Sequence, residues 1–591
     1  MSPVQCVVFI VASAVALFIP LLASSASFVM LACYVGMASL VAIGLVVLTG
    51  VGGMTSFGQA ALMGVGSYTT AVLCLSYGWS AWAALPVALL LTGLVSLVLG
   101  LMTIRLSGHF LPLGTIAWGL AIFYFFGATP MLGGYGGLSG IAPLAISTMS
   151  LVEPRHFYPV IWAAVVIAVI LTLNLLDSRP GRIIRSLRSG RTAVEAFGAN
   201  TARLKLFIFV YAGVLAGLSG WLYALFLRAV SSSTFGLTAG IEYLLMAVIG
   251  GAGNVVGAIF GAAVVIVVRN YLQDLMPLIF GSSGNYHIIV FGMILVLLLL
   301  RSPDGVWPMV TRWFSRVLPK GRKDPAGGHA LQTVAKPEPG SALLGVRAIE
   351  KRYGGLMAVN KVDFSVEAGT VVGLIGPNGA GKSTTFNLIT GIVRPSSGSV
   401  SFLGKAIDGL GSRAIASKRI ARTFQHVKLV SDMTVLDNVA VGAHLRTKAG
   451  PLRSMFRLNT TEEARIRSEA MAALDRVGLA SVAEMETGSL ALGQMRVVEI
   501  ARALCMDPVL LLLDEPAAGL RHQEKQALLK LLRSLADEGV TILIVEHDMQ
   551  FVMELTDYLV VLNFGTKLAE GRPEAIRNNP AVLAAYLGAD E

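Results

Sequence analysis

Long apolar runs separated by short polar breaks fill the first half of the chain. A helix needs about 20 apolar residues to cross the roughly 30 Å hydrocarbon core of a bilayer. The first run has no basic residue before it and further runs follow at once, which favours a retained span over a cleaved signal peptide. The pattern predicts about ten membrane spans, at residues 6–24, 28–50, 57–78, 81–104, 111–128, 157–177, 206–228, 231–252, 254–272 and 286–301.

The pattern changes after residue 342, where short β-rich runs alternate with helical stretches. The runs TVVGLIG (370–376), VLLLLDE (509–515) and TILIVEH (541–547) are typical of the strands of a mainly parallel α/β sheet. Residues 324–342 are rich in Pro, Gly and Ala and lack periodicity, as in a flexible linker. We predict a polytopic α-helical membrane domain at 1–301, a cytoplasmic linker at 302–342 and an α/β domain at 343–591.

Charged residues are concentrated in the second half. The 591 residues carry a net charge of +11 and only 14% are charged, against about 25% in a typical soluble domain. Residues 1–300 contain 11 Lys or Arg and 5 Asp or Glu. Many basic residues border apolar runs, where they indicate the cytoplasmic side of a membrane and not nucleic-acid binding. The basic segments 178–205 and 301–323, four predicted spans apart, are both expected in the cytoplasm.

A phosphate-binding motif follows the first of these β-rich runs. The sequence GPNGAGKS (376–383) matches G-x-x-x-x-G-K-[ST] between an apolar strand and a predicted helix, the context that this motif requires. Its glycines let backbone N–H groups point at phosphates, Lys382 supplies a positive charge, and the Ser383 hydroxyl suits Mg²⁺. The candidate nucleotide-binding residues here are Gly376, Asn378, Gly379, Gly381, Lys382, Ser383 and Thr384.

Two adjacent carboxylates end the run VLLLLDE. Asp514 suits a ligand of Mg²⁺, and Glu515 suits a base that polarises the attacking water. An Asp-Glu pair alone is weak evidence, because many strands end with acidic residues in solvent. Together with the phosphate motif, the pair predicts ATP hydrolysis.

The order of motifs resembles that of the ABC-transporter ATPases over the whole of 343–591. The phosphate motif is followed by ARTFQ, ending at Gln425, then by LALGQ (490–494), LLLLDEP and IVEHD, which contains His547. The resemblance implies an α/β P-loop ABC-type ATPase in which two domains enclose two ATP molecules. It also implies that His547 contacts the γ-phosphate, and that Gln425 binds Mg²⁺ and links the nucleotide to the membrane part.

The same resemblance implies three contacts from LALGQ, made by Ala491, Gly493 and Gln494, and stacking of Tyr353 on adenine. Two positions depart from the family's pattern. Ala491 replaces a common serine, so one hydroxyl donor is missing, and Arg521 stands where the family usually has Asp or Asn. These departures leave open which contacts form across the ATP-bound dimer. They do not change the prediction of ATPase activity.

The membrane half resembles the permeases of branched-chain (hydrophobic) amino-acid ABC importers, the Liv type. The resemblance lies in GGMTSFGQAALMGVGSYTTA, in 178–224 and in GGAGNVVGAIFGA (250–262), while LDEPAAGL, IVEHDMQFVM and RNNPAVLAAYLG resemble the Liv-type ATPases. It implies import driven by ATP with Mg²⁺ across the bacterial cytoplasmic membrane. It further implies a second permease and ATPase, or a second copy of the chain, an extracytoplasmic solute-binding protein, and a coupling helix within 192–200 that docks near Gln425.

Several alternatives stay open at this level. The segment 48–73 is dense in small residues, which indicates either close helix packing or a helix interrupted at Gly50–Gly58 beside a transport pathway. The solute is a branched-chain amino acid, urea, a short amide or an aromatic acid. An ABC exporter is disfavoured by the compact spans, and a membrane-anchored regulatory ATPase by the glycine-rich breaks.

Overall fold

A computed structural model of the chain describes residues 25–106, 108–147, 149–280, 286–302, 305–307 and 331–587. The chain divides into two compact units. The first comprises Met1–Asp177 and Ala202–Asp324, and the second comprises Ser178–Thr201 and Pro325–Glu591. The basic segment 178–201 lies between two membrane helices in the sequence but belongs to the second unit. This unit carries the motifs predicted to bind and hydrolyse ATP and is called here the ATPase unit. The predicted domain boundaries stay predictions.

Among the described residues, six helices are long and apolar enough to cross a membrane: Ala26–Val51, Ala81–Thr103, Phe110–Ala128, Pro154–Leu176, Thr201–Leu227 and Val255–Ile279. Three more apolar helices belong to the same unit: Gln59–Ser76, Leu237–Gly250 and Tyr286–Arg301. The expected polytopic α-helical membrane domain is confirmed. The predicted span 6–24 and most of the basic segment 301–323 lie outside the described residues, and the number of about ten spans stays a prediction.

Small residues allow the membrane helices to approach closely. A Cβ atom at Gly66 would lie 2.4 Å from the Gly217 carbonyl oxygen, and one at Gly220 would lie 2.0 Å from that of Met63. Larger residues at either glycine would force the helices Gln59–Ser76 and Thr201–Leu227 apart. Close packing, one of the two alternatives for this glycine-rich segment, is therefore present.

The second alternative, an interrupted helix, is present as well. The α-helix Ala26–Leu45 continues as a π-helix over Val46–Val51. Residues 52–58 are not helical, and a new helix begins at Gln59. The glycine-rich segment thus combines close packing with a break in the helix.

The ATPase unit contains a six-stranded sheet. Its strands lie in the order Ile420–Arg422, Leu510–Asp514, Thr541–Val545, Val371–Ile375, Tyr558–Asn563 and Thr566–Gly571. The first five are parallel and the last pair is antiparallel. The three central strands are buried along their whole length, which explains why the sequence shows continuous apolar runs and not alternation.

A second sheet of four antiparallel strands packs in the same unit, in the order Leu356–Glu367, Ala342–Tyr353, Ser397–Phe402 and Lys405–Ala406. The described helices of this unit are Arg179–Ser186, Arg191–Glu195, Lys382–Ile389, Ser412–Ala416, Val435–Ala440, Pro451–Met455, Thr460–Arg476, Leu492–Leu504, His522–Asp537, Met549–Leu555, Pro573–Arg577 and Pro580–Leu587. Three of them, Val435–Ala440, Thr460–Arg476 and Leu492–Leu504, share their own apolar core.

The described end of the predicted linker contacts the ATPase unit. Leu331 lies in the apolar core of the three-helix group. The Val334 N–H and the Lys336 ammonium both donate to the Asp507 carboxylate, at 2.8 and 3.1 Å. These bonds and the burial of Leu331 hold residues 331–336 against the unit before the first strand begins at Ala342.

Candidate ATP-binding and hydrolysis site

Parallel strands bring the predicted site residues to one edge of the sheet. Gln425, Glu515 and His547 each follow a strand, as does the phosphate loop (residues 376–383), and these four strands are neighbours in the sheet. The carboxyl ends of parallel strands meet at the same edge, where open α/β sheets bind ligands. The sheet order therefore brings together residues that are far apart in the sequence.

The backbone of the phosphate loop requires glycine at three positions. The φ angles of Gly376, Gly379 and Gly381 are 148°, 80° and 94°, in the region that side chains rarely adopt. A Cβ atom at Gly376 would also lie 2.1 Å from the Leu562 carbonyl oxygen. The loop ends where the helix Lys382–Ile389 begins, so its N–H groups join those of a helix N-terminus, a natural site for anions.

Lys382 folds back over this loop. Its ammonium donates to the carbonyl oxygens of Gly376 and Pro377 at 2.7 and 2.9 Å. Burial lowers its pKa below the usual lysine value, against the opposing effect of Glu515 and Asp514. Asn378 and Ser383 are exposed and Thr384 is half-buried, in and just after the same loop. A positive charge is thus held beside exposed polar groups.

Asp514 is held by a buried arginine that the sequence did not reveal. The Arg422 guanidinium donates to Asp514 Oδ2 at 2.8 Å, and also to the side chains of Asn387 and Thr390 at 2.7 and 2.9 Å. The other oxygen, Asp514 Oδ1, is buried and has no hydrogen-bond partner within the described residues. A buried carboxylate oxygen without a partner is costly unless it binds something.

Glu515 lies between Gln425 and His547. The Gln425 side-chain amide donates to Glu515 Oε2 at 3.0 Å, and His547 Nδ1 lies 4.0 Å from the same oxygen. The φ angle of Glu515 is 48°, a conformation that is uncommon for a residue with a side chain and often marks a functional site. The structure therefore brings the three residues predicted to be catalytic into one group.

Glu546 supports this group and was missed by the sequence analysis. It is 1% exposed, and its oxygens accept the N–H groups of Ala517 at 2.6 Å and His547 at 3.2 Å. Burial raises its pKa. It thereby connects the loop after Glu515 to the loop that carries His547. In the sequence, only its position beside His547 in IVEHD could have indicated this supporting role.

The remaining predicted residues belong to other elements of the unit. Ala491 precedes the helix Leu492–Leu504, and its N–H donates to the Gln494 side chain at 3.3 Å. Gly493 is buried against Glu524: a Cβ atom added at Gly493 would lie 2.6 Å from the Glu524 carboxylate. Tyr353 ends a strand of the second sheet, with the Lys351 ammonium 5.2 Å from its ring centre. The exposed Arg521 precedes the helix His522–Asp537.

The residues at the sheet edge fit a nucleotide with a divalent cation. Asp514 offers an unpartnered buried oxygen, and Ser383 and Gln425 offer a hydroxyl and an amide oxygen, which suit Mg²⁺. Within the described ranges, no group of three or more His, Cys, Asp and Glu could hold a metal ion. A Mg²⁺ site with so few protein ligands is expected where phosphates of the substrate and water molecules complete the coordination.

The segment Ser178–Thr201, called here the docking segment, packs on the ATPase unit through the buried Arg182 and the partly buried Arg179. Arg182 donates to Glu463 Oε2 at 2.6 Å, and its side chain is 3% exposed. The other Glu463 oxygen accepts the Arg179 N–H at 2.6 Å, so a carboxylate stabilises the N-terminus of the helix Arg179–Ser186. The Arg179 side chain donates to the carbonyl oxygens of His444 and Ala449 at 2.8 and 2.9 Å.

The second contact of the docking segment involves the predicted coupling helix. Phe197 is 2% exposed, and the Arg502 guanidinium lies 4.6 Å from its ring centre. A Cβ atom at Gly198 would lie 2.3 Å from the Leu445 side chain, and the Gly198 carbonyl accepts the Arg413 Nε–H at 3.2 Å. Glu195 instead binds Arg191 and Thr201 within the segment, both at 2.7 Å.

A buried charged cluster connects Phe197 to Gln425. Arg502 pairs with Glu499 at 3.2 Å and donates to the Lys428 carbonyl at 2.8 Å. Glu499 accepts the Lys428 N–H at 2.8 Å and lies 3.8 Å from Arg496. Arg496 in turn donates to the carbonyl oxygens of Phe424, at 3.0 Å, and Gln425. The expected docking near Gln425 is thus made through Arg496, Glu499 and Arg502.

The phosphate loop, the acidic pair at the sheet edge and the apolar helices together define an ATP-binding cassette transporter. Comparison with known families agrees. Residues 27–299 match the permease component of the branched-chain amino acid transport system. Residues 359–518 match the ABC transporter model, and residues 566–591 match the branched-chain amino acid ATP-binding cassette transporter model.

Individual relatives match the ATPase half. The high-affinity branched-chain amino acid transport ATP-binding protein LivG of Salmonella typhimurium is 44% identical over 251 residues, which are 42% of this chain and 98% of LivG. BraF of Pseudomonas aeruginosa, with the same description, is 43% identical over 249 residues, again 42% of this chain and 98% of the relative. A solved nucleotide-free ATP-binding cassette from an ABC transporter is 34% identical, with a TM-score of 0.38, over 42% of this chain and 98% of its own.

The chain therefore belongs to the Liv-type family of branched-chain amino-acid ABC transporters, with permease and ATPase components in one polypeptide. It is a multi-pass membrane protein that hydrolyses ATP to drive transport.

Proposed function

We propose that this chain imports branched-chain or related hydrophobic amino acids across the bacterial cytoplasmic membrane. The observation that carries the proposal is the presence, in one chain, of the permease match over 27–299 and the hydrolytic group at the sheet edge. LivG and BraF, which resemble the ATPase half, are named for branched-chain amino acid transport. The ATPase domain faces the cytoplasm in this proposal, as the basic docking segment requires.

At the ATPase site, Glu515 is the base that activates water, and Gln425 and His547 orient it. The 3.0 Å bond from the Gln425 amide fixes one Glu515 oxygen. His547 Nδ1 lies 4.0 Å from the same oxygen, and His547 would contact the terminal phosphate of a bound ATP. Lys382 and the N–H groups of the phosphate loop bind the phosphates. Ser383, Asp514 and Gln425 would hold Mg²⁺, which neutralises phosphate charge when it is bound.

The docking segment transmits movement between the ATPase unit and the membrane helices. It continues directly into membrane helices at both ends, Pro154–Leu176 and Thr201–Leu227. Arg182 is held by a largely buried ion pair with Glu463 and Arg179 by backbone carbonyl oxygens, which makes the contact rigid enough to carry a displacement. The charged cluster that ends at Gln425 couples this contact to Glu515.

A complete transporter needs two ATPase domains. In this chain the LALGQ residues begin a separate helix and are positioned to complete the site of another domain. The second ATPase and second permease come from another copy of the chain or from separate subunits. A solute-binding protein outside the cytoplasmic membrane delivers the amino acid.

Uptake of radiolabelled solutes tests the proposal. The gene is replaced by wild-type or Glu515→Gln copies in its own cells, so that all natural partners are present. We expect uptake of leucine, isoleucine and valine with wild type and its loss with the variant. Uptake of urea, short amides or aromatic acids in place of these amino acids would overturn the proposed substrate class.

A further inference from the structure

The break between Val51 and Gln59 lies inside the apolar membrane unit. The helix Gln59–Ser76 begins after Gly58, which provides no side-chain cap. The first N–H groups of a helix have no partner within it. Such groups are costly in a membrane protein unless they face protein, water or a ligand.

A narrow cavity adjoins the break. It is lined by Ser56 and Gly58 of the break, Leu62 of the following helix, and Leu99, Thr103, Thr115, Trp118, Gly119, Ile122 and Phe209. In this conformation it has room for about one water molecule. Five apolar side chains, two glycines and three hydroxyl residues form its wall. This combination is typical of a site for a small solute with one apolar and one polar end.

Two buried polar side chains at the break have no hydrogen-bond partner within the described part of the chain. Ser56 Oγ, on the cavity wall, is unpartnered, and Ser56 is 1% exposed. Both amide atoms of Gln59, also 1% exposed, are unpartnered. By contrast, Thr115 bonds the Phe57 N–H at 3.2 Å and the Pro112 carbonyl at 2.8 Å. Ser56 and Gln59 therefore place unpartnered polar groups at the uncapped helix end.

We propose that this cavity is a solute subsite of the permease, and that it opens from the closed form seen here to take an α-amino acid with a branched apolar side chain. The carboxylate meets the N-terminus of Gln59–Ser76 and the Ser56 hydroxyl. The apolar side chain packs against Leu62, Leu99 and Ile122. The assignment rests on the proposed function.

The chemistry agrees with this assignment in two ways. Helix N-termini at breaks in membrane helices favour negatively charged solute groups, because the backbone dipoles and free N–H groups point at them. A wall of Leu, Ile, Phe and Trp discriminates apolar side chains by size, by about 10–200-fold per methylene. An amino acid such as leucine offers both features, whereas urea offers neither a carboxylate nor an apolar side chain.

Uptake of labelled leucine and valine by cells with a single chromosomal copy tests the subsite. Leu62→Ala enlarges the cavity, and Leu40→Ala is its control, since Leu40 is 0% exposed in the helix Ala26–Leu45 and does not line the cavity. We expect Leu62→Ala to change the leucine-to-valine uptake ratio at least fivefold and Leu40→Ala to leave it unchanged. A ratio measured in one culture is independent of how much protein folds.

A second pair tests the carboxylate end. Ser56→Ala is compared with Ser39→Ala, because Ser39 is equally buried but its hydroxyl donates to the Val35 carbonyl at 2.6 Å. Loss of a hydrogen bond to a charged group weakens binding by about tenfold or more. We therefore expect Ser56→Ala to raise the concentration for half-maximal uptake of both solutes about tenfold or more, with an unchanged ratio and normal abundance in the membrane.

The outcomes separate the two hypotheses. If wild-type cells take up neither leucine nor valine, the proposed function fails. If wild type takes up both and the two test variants match their controls, the cavity holds only water and the subsite is overturned, while the proposed function stands.

Discussion

Glu515 combines a rare backbone conformation with a carboxylate held by Gln425. A φ of 48° costs about 1–3 kcal/mol for a residue with a side chain, and it is maintained because the Glu515 N–H donates to the Val545 carbonyl at 2.9 Å. The conformation turns the carboxylate away from the strand and towards Gln425 and His547. Strain at this position is therefore linked to the geometry of the hydrolytic group.

Replacing Glu515 with Gln should abolish hydrolysis but not ATP binding. A glutamine keeps the shape but cannot accept a proton, and a general base contributes about 10²–10⁴-fold. We expect the ATPase rate of the chain in lipid nanodiscs to fall at least 100-fold, with the affinity for a fluorescent ATP analogue within about threefold. Glu570→Gln, an exposed change on the strand Thr566–Gly571, is the control. A variant that still hydrolyses ATP at a tenth of the normal rate would exclude Glu515 as the base.

His444 makes the ATPase unit sensitive to acid. Burial and the nearby charges of Arg179, Arg413 and Arg182 lower the pKa of His444 to about 3, whereas an unfolded histidine titrates near 6.5. Below that value the unfolded chain binds the extra proton, so stability falls as the pH drops from about 7 towards 3. At pH 5 this one group accounts for a loss of about 2 kcal/mol.

His444→Gln should remove that share of the pH dependence. About 2 kcal/mol corresponds to a shift of roughly 4–8 °C in the thermal midpoint of a unit this size. We expect the decrease in midpoint between pH 7 and pH 5 to be smaller by that amount in the variant, measured by scanning fluorimetry in nanodiscs. The carboxylates of Glu463 and Asp437 also face this region and are the same in both proteins. Equal decreases would mean that His444 is protonated in the folded chain.

At the scale of elements, the helix Leu492–Leu504 joins the docking segment to the hydrolytic group. Its charged residues Arg496, Glu499 and Arg502 are nearly inaccessible, with side chains 9%, 1% and 3% exposed. Burial raises the pKa of Glu499, and the two arginines oppose that effect. Removing one partner of a buried ion pair costs about 3–5 kcal/mol, so this cluster fixes both Lys428 and Gln425.

Glu499→Gln should therefore lower the maximal rate of hydrolysis as well as stability. Glu469→Gln is the matched control, because Glu469 forms a 2.6 Å ion pair with the buried Arg446 on another helix and does not contact the Gln425 segment. We expect both variants to lose stability. At a temperature where both are folded, only Glu499→Gln should reduce kcat, by about tenfold or more, with KM for ATP little changed. Equal kcat values for Glu499→Gln and Glu469→Gln would mean that the cluster has only a structural role.

The elements that the sequence predicted are those whose signals are local. The phosphate loop, the acidic strand end and the apolar spans each lie within about one element, where pattern and spacing suffice. The supporting contacts are not local: Arg422 and Asp514 are 92 positions apart, and Arg182 and Glu463 are 281 apart. An arginine in a basic loop gives no sign of its distant partner, so the docking segment could be predicted but its anchors could not.

At the scale of the whole molecule, the site at the sheet edge contains no residue of the LALGQ motif from the same domain. Ala491, Gly493 and Gln494 begin a helix in the three-helix group, while Gln425, Glu515 and His547 lie at the strand ends. Three of the LALGQ residues, Ala491, Leu492 and Gln494, are exposed. A helix N-terminus that is exposed in this way can complete the anion site of a second ATPase domain.

Hydrolysis should accordingly require two ATPase units in one particle. The purified chain in nanodiscs is separated by mass, and the ATPase rate per chain is measured for each fraction, with Glu515→Gln as the background. We expect particles with one chain to hydrolyse ATP at less than a tenth of the rate of particles with two, because each site lacks the LALGQ residues of a partner.

A two-chain fraction that is active alone would mean that the chain supplies both halves itself. If only particles with co-purified subunits are active, the second ATPase is a separate protein. A one-chain particle as active as the two-chain particle would contradict the shared site.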